Sequence, residues 1–162
     1  MTVRFARGGT QHIIVPIDDW LDVHQQERAT LPYTAAAQLD GAAGSEIVVD
    51  VNDTPASFSA YRVVTFHNGR LVLLPAPPHH SWFVGASAAA GGVSYDCTND
   101  RLTAIDVIPV PHRHRQTMTT FRVVRTTYRW TRNAWVQVRR SSHRGAGVAG
   151  KWICPQLATW SG

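Results

Sequence analysis

The sequence predicts a mainly β fold, an antiparallel meander of hairpins forming a curved sheet, a small sandwich, or a partial barrel or propeller-like unit, with at most one short helix. Three observations carry this expectation. Apolar, β-branched and aromatic runs of strand length recur along the chain, separated by short polar turns. Turn residues stand at Gly69, Asp100 and Asn133, spaced by 31 and 33 residues, each between two such runs. Prolines at 75, 77 and 78 and again at 109 and 111 forbid long helices in the middle of the chain.

The elements follow in order. Gln11 to Val15 reads as a first strand ended by Pro16. Asp18 to Thr30 is the one candidate helix, with Asp18 or Asp19 as its cap and Trp20 and Val23 on one face; an irregular loop fits the same residues. Glu46 to Val51 is a buried strand, and Asn52 to Pro55 a turn. Phe58 to Phe66 pairs with Leu71 to Leu74 across His67-Asn68-Gly69-Arg70, where Asn-Gly is the strongest short hairpin signal. Ala76 to His80 is a loop. Gly91 to Cys97 and Arg101 to Ile108 form a second hairpin, followed by a loop from Pro109 to Arg115. Thr117 to Trp130 and Ala134 to Arg140 form the third, and Gly145, Gly147 and Gly150 mark a loop before the tail. Tandem hairpins of this kind build a meander, and 162 residues suit a single β domain over residues 1–162.

Composition narrows the function classes. The chain is 44% hydrophobic and 17% charged, enough to bury a core and too apolar for global disorder. No apolar run reaches the roughly 18 residues of a membrane helix, so no membrane span is expected. Charge is uneven. Residues 1–60 carry three arginines against eight carboxylates, and residues 61–162 carry thirteen basic groups against three, so the two parts stand at −5 and +10. A basic part of this size points to an anionic partner or to packing against the acidic part.

Two cysteines stand far apart, Cys97 beside a turn and Cys154 near the end, and neither belongs to a C-x-x-C motif. A Cys97–Cys154 disulfide is the expectation, and with it an extracellular or cell-envelope location. Residues 1–5 lack the apolar core of a signal peptide, which fits a cytosolic chain as well as a secreted one without its leader.

Residues 38–51, Gln38-Leu39-Asp40-Gly41-Ala42-Ala43-Gly44-Ser45-Glu46-Ile47-Val48-Val49-Asp50-Val51, resemble the core of the FG-GAP/VCBS repeat, written D-x-D-G-D-G-x-x-D-[IL]-V-V. The hairpin that follows resembles what accompanies this core in secreted proteins of actinobacteria. The resemblance implies a calcium-binding acidic loop. Here only Asp40 and Glu46 hold acidic positions, and calcium takes six to eight oxygens, so a metal-free turn is expected.

Candidate chemistry lies in three places. His79 and His80 in one loop, and His112 and His114 in another, would offer four imidazoles to a metal if the loops met. Arg113 and Arg115 place positive charge beside that site, and no metal or other cofactor is expected. No nucleophile elbow or other catalytic motif is present, and no catalytic residue is assigned. On the third hairpin, strand alternation puts Val124, Thr126, Tyr128 and Trp130 on one face and Arg125 and Arg129 on the other. Arg125, Arg129 and Arg139, with Trp135 as a stacking platform, form a candidate anion-binding surface. The expected function is a non-enzymatic extracellular or cell-surface binding or structural module. The alternative is a small basic nuclease or toxin-like domain. A protein or an anionic polymer at the cell surface is the expected partner, and self-association is compatible with the same pattern.

Overall fold

The computed structural model describes residues 1–5, 8–16, 33–40, 46–51, 58–87, 91–98, 100–110, 120–131, 133–145, 150 and 152–154. Among these there are strands and turns and no helix. In chain order the strands are β1 (Thr2–Arg4), β2 (Thr10–His12), β3 (Tyr33–Ala37), β4 (Glu46–Asp50), β5 (Phe58–His67), β6 (Arg70–Leu74), β7 (Phe83–Ser87), β8 (Gly91–Thr98), β9 (Arg101–Val110), β10 (Thr120–Thr131) and β11 (Ala134–Gly145). The expected helix over residues 18–30 and the turn at residues 52–55 lie outside the described residues.

β1 and β2 form a small hairpin sheet, and the other nine strands form one antiparallel sheet in the order β11-β10-β9-β8-β7-β5-β4-β3, with β6 also on β5. The sheet does not close, since β11 and β3 stand at its two ends. β5 is the joint. Its first residues, Phe58 to Ala60, pair with β7, while Val63 to His67 pair with β6, so one ten-residue strand serves two parts of the sheet. The three expected hairpins, β5–β6, β8–β9 and β10–β11, are all present. The first turns through Asn68 (φ 50°) and Gly69 (φ 78°), the paired positive φ values of a tight hairpin whose twist matches its strands.

Curvature brings the inner faces of the two parts together. One core cluster contains Val48, Val63 and Leu74 from the first part and Tyr95, Leu102, Tyr128 and Trp135 from the second. On the other face of β4 and β5, Val49 and Val64 join Val15, Val51 and Ala60, with Met1 and Ile13 packed against them. Both faces of β4 are therefore buried, which is why Ile47-Val48-Val49 reads as an unbroken apolar run. Gln11 fixes the N-terminal hairpin in place. Its side-chain amide donates to Gly69 O at 2.7 Å and its carbonyl accepts from Leu71 N–H at 2.9 Å.

β7 pairs with β8 only at Gly91 to Val93, and the tail takes the edge that β7 leaves. Gly150 N–H donates to Val93 O, Trp152 bridges Tyr95 in parallel, and Ile153 N–H donates to Tyr95 O. Gly150 has φ 89°, and a Cβ there would stand 2.9 Å from the Cβ of Ala86, so only glycine lets the tail approach this closely. Trp152 enters a ring cluster with Tyr61, Trp82 and Tyr95 at centroid distances of 5.2 to 5.9 Å. Cys154 follows at once and closes the expected disulfide with Cys97.

Several boundaries differ from expectation. β1, β3 and β7 were not expected, and the first strand was expected over Gln11 to Val15 rather than Thr10–His12. β9 continues through Pro109 to Val110. Its partner β8 ends its ladder at Gly92 opposite Val107, so the missing N–H of Pro109 has no ladder to break on that side. β11 runs to Gly145, five residues beyond the expected end at Arg140.

Candidate polyanion interface

β10 and β11 pair from Phe121–Gly145 to Thr131–Ala134, but the core covers only part of them. Trp130, Tyr128, Thr126 and Val124 face inward, as strand alternation predicts, with Tyr128, Thr126 and Val124 buried. From Val136 to Arg144 every residue of β11 is exposed, so this part of the hairpin is a ribbon open to solvent. Residues 120–145 carry seven arginines and no carboxylate.

Register sorts these arginines. Trp130 lies directly opposite Trp135, and Tyr128 opposite Gln137. The pairing then shifts between Thr127 and Tyr128, so that Thr127 meets Arg139 and Val138 is the extra residue of a bulge. Strict alternation from Trp135 would turn Arg139 inward. The bulge returns it to the face of Arg125 and leaves Arg140 on the other, opposite Thr126. Arg122 and Arg144 are direct cross-strand partners on that second face. All five of these arginines are exposed. Like charges directly opposite each other destabilise a strand pair by several tenths of a kcal/mol, up to about 1 kcal/mol, so Arg122 and Arg144 stand at a position that a bound anion would stabilise.

Two of the expected surface residues have other roles. Trp135 is only 6% exposed and lies on the inner face, so it is no exposed stacking platform. Its ring meets Trp130 edge-to-face at 5.1 Å, and its indole N–H donates to Pro75 O at 2.8 Å. Arg129 Nε lies 3.6 Å from Asp100 Oδ2 at the surface, so its charge already has a counter-ion. Arg125 and Arg139 are exposed on one face of the ribbon, and Arg122, Arg140 and Arg144 are exposed on the other. Those three were missed because the arginine pattern alone does not show where the core stops covering a hairpin.

Of the four candidate histidines, His79 and His80 are among the described residues. His79 is exposed at a turn with φ 66°. His112 and His114 lie outside the described residues. His80 is turned toward the sheet. Its Nε2 lies 3.2 Å from Asp106 Oδ2, and its Nδ1 faces Pro78 O at 3.0 Å and the Tyr128 hydroxyl at 3.4 Å. The bond to Asp106 raises the His80 pKa above its ordinary value, against burial and the positive charge of Arg140, which both lower it. With partners at both ring nitrogens and a side chain 7% exposed, His80 anchors the 75–82 loop to β9 and β10. Among the described residues, no group of three or more His, Cys, Asp or Glu could hold a metal ion.

A second polar group was not anticipated as a unit. Asp40 and Glu46, the two acidic positions of residues 38–51, are both buried, at 6% and 2% exposure. The Thr65 hydroxyl lies 3.2 Å from Asp40 Oδ2 and 3.4 Å from Glu46 Oε1, and Leu39 N–H donates to Glu46. Burial, helped by the neighbouring Asp40 carboxylate, pushes the Glu46 carboxyl up to about 7. The sequence signal was available: two carboxylates, Asp40 and Glu46, separated by the five small residues Gly41 to Ser45, with the apolar run Ile47 to Val49 directly after the second.

No helix among the described residues is long and apolar enough to cross a membrane. No protein-family model, no curated protein and no solved structure matches this chain.

Proposed function

We propose that this chain is a non-enzymatic extracellular binding module that holds a linear anionic polymer along the exposed β10–β11 ribbon. The observation that carries this is the arginine set Arg122, Arg125, Arg139, Arg140 and Arg144, exposed on a hairpin without a single carboxylate. Arginine presents a planar fork of donors suited to phosphate, sulfate or carboxylate groups. The two faces of the ribbon let such groups contact it from either side. The Cys97–Cys154 disulfide supports the extracellular setting, because such bonds persist in oxidising compartments. The resemblance of residues 38–51 to a repeat of secreted proteins points the same way.

The alternative, a small basic nuclease or toxin-like domain, draws on His80 beside Asp106 in the field of Arg140. Acid–base chemistry needs a ring nitrogen within reach of substrate. Both nitrogens of His80 already face protein partners, which favours the binding module.

The test is titration with heparin and with long-chain polyphosphate across salt concentrations. The wild-type affinity should fall steeply with salt. The pair Arg122→Ser/Arg144→Ser should weaken binding and flatten the slope by about 0.7–0.9 for each phosphate no longer neutralised, with thermal stability nearly unchanged. Salt-insensitive binding, or none, overturns the proposal. Cleavage of RNA or DNA that disappears in His80→Ala would establish the alternative instead.

A further inference from the structure

Where the two parts of the sheet approach each other, a pocket of about 230 Å³ opens between the end of the β5–β6 hairpin and the tip of β10–β11. This is smaller than the roughly 300–1,000 Å³ of ordinary ligand sites, so it admits one ring rather than a chain. We propose that this pocket binds a single uncharged sugar ring, a pyranose unit, independently of the polyanion surface.

Asp40 and Thr65 form the floor of the pocket, both buried. Thr65 has one hydroxyl proton, and carboxylate oxygens of Asp40 and Glu46 stand at 3.2 and 3.4 Å to receive it. The floor therefore offers acceptors, and a ligand must bring donors. An anion is repelled by the Asp40 carboxylate, so the pocket selects against the polymer that suits the arginine ribbon. The walls are apolar: Leu74 lies deep, and the indole of Trp130 stands on the hairpin side. Edge-to-face contact with Trp135 at 5.1 Å fixes the plane of Trp130. The rim carries His67 and Asn133, and the Asn133 amide both donates and accepts. A pyranose brings several hydroxyl donors, a flat patch of C–H groups for an aromatic wall and no negative charge.

The experiment is saturation-transfer-difference NMR on the whole chain with the methyl pyranosides of glucose, galactose, mannose and N-acetylglucosamine. At least one should receive saturation at its ring C–H protons, and the signal should survive high salt. Val72 is exposed on the pocket wall and cross-strand from Thr65, so Val72→Arg fills the mouth without entering the core and should abolish transfer. Asn133 has φ 80°, so Asn133→Gly removes the amide while keeping the turn and should weaken binding about tenfold. Asp40→Asn should weaken it by about tenfold or more, since a charged acceptor is replaced by a neutral one. Arg122→Ser/Arg144→Ser should leave it unchanged. Absence of transfer from all four glycosides overturns the proposal. So does wild-type transfer in Val72→Arg, or transfer that disappears with the ribbon arginines.

Discussion

The Trp135 indole N–H donates to the Pro75 carbonyl at 2.8 Å, joining residues 60 apart in the chain and fastening the third hairpin to the loop that follows the first. Replacing Trp135 tests which face of β11 belongs to the core. Trp135→Ala should cost about 3–5 kcal/mol, and Trp135→Phe, which keeps a ring but leaves the carbonyl without its donor, about 1 kcal/mol. Arg125→Ser/Arg139→Ser should change stability by less than about 0.5 kcal/mol. Urea unfolding of the four proteins checks the order. Equal losses for the tryptophan and arginine variants would contradict the inside–outside assignment.

Glu46 makes stability depend on pH. Its carboxyl is raised from an ordinary 4.5 to about 7, so the folded chain binds a proton that the unfolded chain has released between those values. The resulting stabilisation is complete below about pH 4.5 and is lost as the pH rises through about 7, with a size on the order of 3 kcal/mol. Glu46→Gln carries a neutral side chain at every pH. The expected outcome is a wild-type urea midpoint that falls between pH 5 and pH 8, and a flatter profile in the variant. A Glu46→Gln profile parallel to the wild-type one over this range would show that Glu46 is not the source of the pH dependence.

His80 contributes in the same direction through a different partner. Its pKa is raised chiefly by the hydrogen bond to Asp106, so protonated His80 stabilises the fold below its ordinary 6.5, and that contribution is lost as pH rises through the higher folded value. Asp106→Asn should remove the effect and bring the imidazole back toward or below 6.5. Two-dimensional NMR of the His80 ring against pH measures this directly. An unchanged titration in Asp106→Asn would exclude the carboxylate as the cause.

The disulfide closes a loop of 57 residues in sequence separation. Its removal in Cys97→Ser/Cys154→Ser should cost about 2–4 kcal/mol. Thiol labelling of protein unfolded without reductant should find no free cysteine in material from an oxidising compartment. Two labelled thiols per chain would contradict the bridge.

Hairpins were legible because their turns are written in residues with special backbone freedom: Asn68-Gly69, Asp100 and Asn133 all have positive φ. β3 was not legible, because Tyr33-Thr34-Ala35-Ala36-Ala37 lacks the β-branched run that marks a strand. β7, Phe83-Val84-Gly85-Ala86-Ser87, is hidden by its small residues in the same way. The wrong placement of Trp135 has a sharper cause. Cross-strand partners share a face, and the tight turn sets Trp130 opposite Trp135, so the inward assignment of one fixes the other. The bulge at Val138 leaves no such mark, and with it the faces of Arg139 and Arg140 are known only from the folded chain. The carboxyl pair was visible as two acidic residues, but its burial depends on curvature that brings residues 40, 46 and 65 together.

β11 stands at the end of the strand order, so among the described residues one side of a twelve-residue strand presents backbone N–H and C=O groups without a neighbouring strand. An open edge of this length is a template on which a second molecule could extend the sheet. Arg139, Arg140 and Arg144 lie on that edge, and two molecules approaching through it would bring like charges together. The arginines proposed to hold a polyanion would therefore also oppose edge-to-edge pairing of two copies, and neutralising them, by mutation or by counter-charge, would trade repulsion for a tendency to stack edge to edge.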